Sequence, residues 1–158
     1  MHIHFVCSGN SYRSRLAEAY LKSKLGSKEI KVSSSGIEAS LHKFGNGPIC
    51  WYAMRLMKRN ALIEFMSWQQ QQTTKELLSG VDLLICMRQE HLDFCQNGMG
   101  YTGEFEVWDV PDLNEMDGFM PSTQSGLETD INHIELTEQT FRLIVEKVDK
   151  LIEGLRNS

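Results

Sequence analysis

Cys7 and Arg13 are separated by five residues in the segment Cys7-Ser8-Gly9-Asn10-Ser11-Tyr12-Arg13-Ser14. A cysteine thiolate is a nucleophile, and a guanidinium fork can hold two oxygens of a tetrahedral oxyanion. The intervening residues are mostly small or polar, and Gly9 and Asn10 tolerate backbone angles that others avoid. The backbone amides of such a loop can converge into an anion cradle. The Ser14 hydroxyl can bond the thiolate or a loop carbonyl. These parts suit attack on a phosphoryl group. Cys7 is the candidate nucleophile. Ser8, Gly9, Asn10, Ser11, Tyr12, Arg13 and Ser14 are the candidate phosphate-binding residues. A lone cysteine is often just a small buried hydrophobe, so the reading depends on what surrounds it.

The surroundings read as strand, tight loop, helix. An apolar run (Ile3, Phe5, Val6) predicts a strand over 2–6 that ends at Cys7. Leu16, Ala17, Ala19, Tyr20 and Leu21 predict a helix over 14–25, stopped by Gly26. The helix N-terminus would add partial positive charge behind the loop and favour a thiolate at Cys7. Further strands are expected over 29–34, 81–87 and 104–108. Helices are expected after a Gly45–Pro48 turn, over 74–78, around His91 to Phe94, and from 137 onward. The last helix carries Phe141, Ile144, Val148 and Ile152 at core spacing. This alternation predicts an α/β fold: a small four-stranded parallel sheet with helices on both faces, doubly wound, in one domain over 1–158. Ligands bind such sheets at the carboxyl ends of strands, where Cys7 would sit.

Hydrolysis through sulfur needs a group that protonates the leaving oxygen and later deprotonates water. Asp109 and Asp112 flank Pro111 and are near-equal candidates by bare sequence; either could also cap the turn. Other polar groups read more plainly. His2 and His4 alternate on one strand and, with no third ligand, are expected as partly exposed edge residues. The polar run 69–72 is expected as solvated turn surface, and Cys86 as inert packing. Ser34 and Ser35 could brace the loop or cap a turn.

The cysteines at 7, 50, 86 and 95 show no C-x-x-C or zinc-type spacing. No metal and no cofactor is therefore expected. The net charge of −5 gives no basis for binding nucleic acid or an anionic membrane. No apolar run reaches membrane-spanning length and no signal-peptide pattern opens the chain. The sparse cysteines suit a reducing cytoplasm.

Val6-Cys7-Ser8-Gly9-Asn10-Ser11-Tyr12-Arg13-Ser14-Arg15-Leu16-Ala17-Glu18-Ala19 resembles the V-C-x-G-N-x-C-R-S-P-x-A-E-A opening of the low-molecular-weight protein tyrosine phosphatases. Val32-Ser33-Ser34-Ser35-Gly36-Ile37, Gln72-Thr73-Thr74, Asp82-Leu83-Leu84-Ile85-Cys86-Met87 and Val110-Pro111-Asp112 look like later segments of that family. The resemblance implies a protein tyrosine phosphatase that works through phosphocysteine. Its substrate would be a phosphorylated protein or small aryl phosphate, and inorganic phosphate or other oxyanions would inhibit it. It favours Asp112 as the acid, because the family's acid follows the same V-P pair. It implies that Ser34 and Ser35 brace Asn10.

The chain also departs from the family. Tyr12 replaces a second loop cysteine, and Trp68 replaces a histidine that supports the asparagine in many members. Asp112 is followed by Leu113, Asn114 and Glu115 rather than by Pro and aromatics, no large aromatic falls at 40–42, and the 116–136 link is long. Three alternatives follow. Phosphoarginine-directed relatives share a small polar residue at the Ser11 position. Thiol-dependent arsenate reduction on this fold would need a disulfide relay, for which Cys86 and Cys95 are the candidates. A non-catalytic phosphate- or phosphopeptide-binding module would keep the cradle without a productive rim.

Overall fold

The computed structural model describes residues 1–25, 29–41, 48–121 and 126–157. The expected helix stop at Gly26, most of the 45–48 turn and His42 lie outside the described residues. Four parallel strands form one sheet in the order β2-β1-β3-β4. They are β1 (His2–Cys7), β2 (Lys31–Gly36), β3 (Leu83–Cys86) and β4 (Glu104–Val107). The helices are α1 (Arg13–Lys24), α2 (Trp51–Arg59), α3 (Lys75–Leu78), α4 (Gln89–Asp93) and α5 (Leu127–Arg156). The four-stranded parallel α/β architecture is as expected.

Alternation along β1 divides the core into two layers. Ile3, Phe5 and Cys7 face one layer with Leu16, Leu56, Trp108, Ile144 and Val148. Val6 faces the other with Leu84, Cys86, Leu92 and Cys95. Phe5 meets the Trp108 ring edge-on, with centroids 5.4 Å apart. Each large apolar side chain buried in this way contributes about 1.5–3 kcal/mol over leaving it in water.

Three expectations are corrected. His2 and His4 are not edge residues: β1 lies inside the sheet, and both rings are buried. Serines on the neighbouring strand satisfy them. Ser33 Oγ lies 2.7 Å from His2 Nε2 and from His4 Nδ1, and Ser35 Oγ lies 2.7 Å from His4 Nε2. The last helix begins at Leu127 rather than near 137, so the long 116–136 link is partly its first turns. Polar Thr129 and His133 lie on its buried side while Leu127 and Ile131 are exposed, which inverts the expected pattern. β2 runs two residues later than expected and ends at Gly36, beside Cys7.

Candidate active site

The Cys7–Arg13 loop lies over the end of β2, and Gly36 allows the approach. A Cβ at Gly36 would fall 2.5 Å from Ser8 O and 2.6 Å from Asn10 N. Asn10 turns the loop with a φ of 52°, a left-handed angle that Asn tolerates.

The Asn10 side chain is held on every side. Its Oδ1 accepts from the Gln71 amide at 2.8 Å, which fixes which end is the NH2. That group donates to Ser34 Oγ at 2.8 Å and to Ser14 Oγ at 3.0 Å. Since Ser14 Oγ accepts there, its own proton can go to Cys7 Sγ, 3.0 Å away. The Asn10 amide also donates to Cys7 Sγ at 3.3 Å. Behind Ser34 sits buried Glu18, which accepts the Ser34 hydroxyl at 2.5 Å. Ser34 thus accepts from Asn10 while Glu18 holds it from behind. Ser35 does not: its hydroxyl is engaged with His4 and with Thr73.

Arg13 begins α1, whose first turn carries no acidic residue. Its Nη2 donates to Asp112 Oδ2 at 2.6 Å and to Ser8 Oγ at 3.1 Å, and its Nη1 donates to Val110 O at 3.0 Å. Cys7, Ser8, Gly9, Ser11, Tyr12 and Arg13 line a cavity of about 70 Å3, closed by Tyr52 and Asp112. Asn10 and Ser14 lie fully buried behind this wall, so they address the sulfur rather than the cavity.

Asp109 is placed apart from this cavity. It has a φ of 52°, is exposed, and pairs with Arg88. Arg88 also bonds Glu115 Oε1 at 2.8 Å, and Glu115 Oε2 accepts the Asp112 amide at 2.5 Å. Together these tie the 109–115 segment to the end of β3.

A groove of about 600 Å3 adjoins the cavity and shares Tyr52 and Asp112 with it. Trp51 and Tyr52 at the start of α2 line it, with Phe119 and His133. The last two rings stack with centroids 5.3 Å apart. Aromatic rings from other segments thus stand beside Asp112, where the residues that immediately follow it in sequence supply none. Cys50 also lines the groove, and burial pushes its thiol up to about 12.

Several site residues escaped sequence reasoning. Gln70 Nε2 bonds Gly9 O, and the Gln71 amide holds Asn10, so the run read as solvated turn surface instead buttresses the loop. Arg15, almost fully buried, donates to Asn10 O, Pro48 O, Gln69 O and Ser67 O. Trp68 is exposed and takes no part in holding Asn10. His91, fully buried, contacts Ser8. No single-sequence signal distinguishes these residues from ordinary polar surface.

Arsenate reductase of Bacillus subtilis is 34% identical over 93 residues, 59% of this chain and 60% of that protein. The match thus spans less than two thirds of that relative's length. Vibrio vulnificus Wzb, solved with benzylphosphonate, is 22% identical with a TM-score of 0.69, covering 97% of each chain. A cysteine-to-serine mutant of the arginine phosphatase YwlE, solved with that active-site serine phosphorylated, is 20% identical with a TM-score of 0.65 over 100% of each chain. The family model described as low molecular weight phosphotyrosine protein phosphatase matches residues 2–157, and the chain belongs to that family.

Proposed function

We propose that the protein is a cysteine-dependent phosphomonoester hydrolase, acting on phosphotyrosine in proteins or on small aryl phosphates. One observation carries this: Cys7, Arg13 and Asp112 line the same small cavity, with Arg13 bonded to the acid. Cys7 Sγ attacks phosphorus, forming an S–P bond as the P–O bond to the leaving group breaks. Asp112 gives that oxygen its proton. It then takes a proton from the water that cleaves phosphocysteine and releases inorganic phosphate. Arg13 and the loop amides hold the equatorial oxygens, where charge develops. Support for oxyanion binding also comes from the benzylphosphonate held by Wzb. We assign the work to the cytoplasm, where the thiol stays reduced; among the described residues, no helix is long and apolar enough to cross a membrane.

Phosphoarginine is a second reading, because small polar Ser11 lines the cavity beside Cys7. Arsenate reduction is less well supported. Cys86 and Cys95 are fully buried in the core layer opposite the one Cys7 faces, and would have to cross the sheet to relay a disulfide.

The test is turnover of phosphotyrosine, phosphoarginine and aryl phosphate by wild type and Cys7→Ser. A serine hydroxyl ionises far less readily than a cysteine thiol and is a poor leaving group for the second step. Wild type should hydrolyse at least one substrate and the folded variant none. Substantial activity in Cys7→Ser sinks the nucleophile. A wild type that binds phosphate tightly without turnover is a binding module.

A further inference from the structure

We propose that the Ser8 side chain is a committed hydrogen-bond donor to the bound phosphoryl group, and that His91 is the positioning residue that commits it. This rests on the cavity being the phosphoryl site.

The argument begins at the backbone of Arg88. Its amide lies 3.0 Å from His91 Nδ1. A backbone amide can only donate, so Nδ1 is the lone-pair nitrogen of a neutral ring and the ring proton sits on Nε2. Burial, helped by the nearby Arg13 cation, pushes His91 down to about 3, so the ring stays neutral at working pH. Glu115 pulls the other way and Arg88 adds to the lowering, but both act more weakly than burial. The exposed Glu90 carboxylate is 3.7 Å from Nε2, too far for a hydrogen bond.

Nε2–H faces Ser8 Oγ at 3.1 Å and therefore donates to it. Arg13 Nη2 donates to the same oxygen, also at 3.1 Å. A hydroxyl has two lone pairs and one proton. Both lone pairs of Ser8 are taken by groups that cannot accept, so its proton must point elsewhere. Among the described residues it meets no acceptor, and Ser8 lines the cavity with Cys7, Arg13 and Asp112. The acceptor that fits is an equatorial oxygen of the phosphoryl group. With its direction fixed in advance, the donor needs no reorganisation as charge grows in the transition state. Without His91 one lone pair is released, the hydroxyl can rotate, and Arg13 loses a fixed partner.

The experiment is a double-mutant cycle on kcat/KM for an aryl phosphate, using Ser8→Ala, His91→Phe and the pair. Each single change should cost about ten- to a hundredfold, the range for a hydrogen bond to a charged group. The double variant should lose little more, because both changes remove the same donor. His91→Gln, whose amide can still reach Ser8, should recover most of the loss. Imidazole nitrogen NMR of wild type should show the Nε2–H tautomer between about pH 5 and pH 8. That measurement, with His91→Gln, keeps the proposal testable if His91→Phe does not fold. An Nδ1–H tautomer, or a double variant whose loss is the product of the singles, overturns the proposal. Additive losses in an active wild type overturn it alone. A wild type that neither binds phosphate nor hydrolyses any phosphomonoester overturns the hydrolase reading with it.

Discussion

Arg13 holds Asp112 and the carbonyl of Val110 at once, through Nη2 at 2.6 Å and Nη1 at 3.0 Å. One guanidinium therefore links the anion loop at the end of β1 to the segment after β4. Charge-assisted bonds of this kind are among the stronger ones in a protein. The second Asp112 oxygen accepts from the Leu113 amide at 2.8 Å. When an oxyanion enters, its oxygens compete with Asp112 for Nη2, and the Asp112 carboxyl released beside the leaving group must carry the proton it gives to the departing oxygen.

Asp112→Asn should therefore cut kcat by roughly a hundredfold or more for a poorly leaving alkyl phosphate. The loss should shrink for an activated aryl phosphate, whose oxygen departs without a proton. Asp109→Asn should leave both rates nearly unchanged, since Asp109 faces solvent and Arg88. A series of leaving groups measured for both variants checks this. If Asp109→Asn shows the leaving-group dependence instead, the acid assignment is wrong.

Gly36→Ala should damage the loop more than the sheet. The added methyl would meet three backbone atoms of residues 8–10, the farthest only 2.8 Å away. Backbone cannot swing aside as a side-chain tip can. We expect at least a tenfold weaker phosphate affinity, on the order of 1.4 kcal/mol, with the protein still folded. Phosphate titration by calorimetry reads this; wild-type affinity would show that the loop relaxes freely.

Acid should destabilise the fold early. Burial lowers His2, His4 and His91, with His4 and His91 each reaching about 3. The unfolded chain takes up these protons near 6.5, whereas the folded protein resists. Stability is thus complete above the unfolded value and is lost as pH falls from about 6.5 toward 3. His4 and His91 each add about 1.4 kcal/mol per pH unit to the slope inside that window, and His2 acts in the same direction. Denaturant midpoints between about pH 7.5 and pH 5 test this. A flat profile would contradict the burial of neutral rings. His4→Gln, which cannot charge, should shallow the slope.

The candidate catalytic loop was legible in the sequence because its logic is local. A strand, small residues and a helix start follow one another within residues 2–24, and the chemistry falls on consecutive positions. By bare sequence the candidate acid was legible only as a pair, and the family resemblance favoured Asp112; in three dimensions the two differ, since Asp109 sits in a left-handed turn at Arg88 and Asp112 at Arg13. The buttress was not legible. Gln70, Gln71, Arg15 and His91 gain their roles from carbonyls and amides far away in sequence, and polarity alone suggests solvent. His2 and His4 were misread for the same reason, because the serines that satisfy them belong to another strand. The start of α5 was missed because its first turns bury Thr129 and His133 instead of apolar residues.

Arg15 gives the sharpest test of that buttress. Its Nη1 reaches Asn10 O at 3.2 Å and both Pro48 O and Gln69 O at 3.1 Å, while Nη2 bonds Ser67 O. Two effects oppose each other in Arg15→Met. Removing a buried cation relieves desolvation, which costs several kcal/mol per ion. It also orphans carbonyls, at about 1–3 kcal/mol for each left without a partner. Because one guanidinium serves four carbonyls, the second effect should win, with a net loss of roughly 2–5 kcal/mol. Arg15→Lys should fall between, since a compact ammonium has only three donors and no planar fork. Activity should drop beyond what unfolding explains, because Asn10 loses a restraint on its carbonyl while still addressing Cys7. Denaturant unfolding paired with kcat at a temperature where every variant is fully folded separates the two losses. An Arg15→Met protein as stable and as active as wild type would show that the buried guanidinium is dispensable packing.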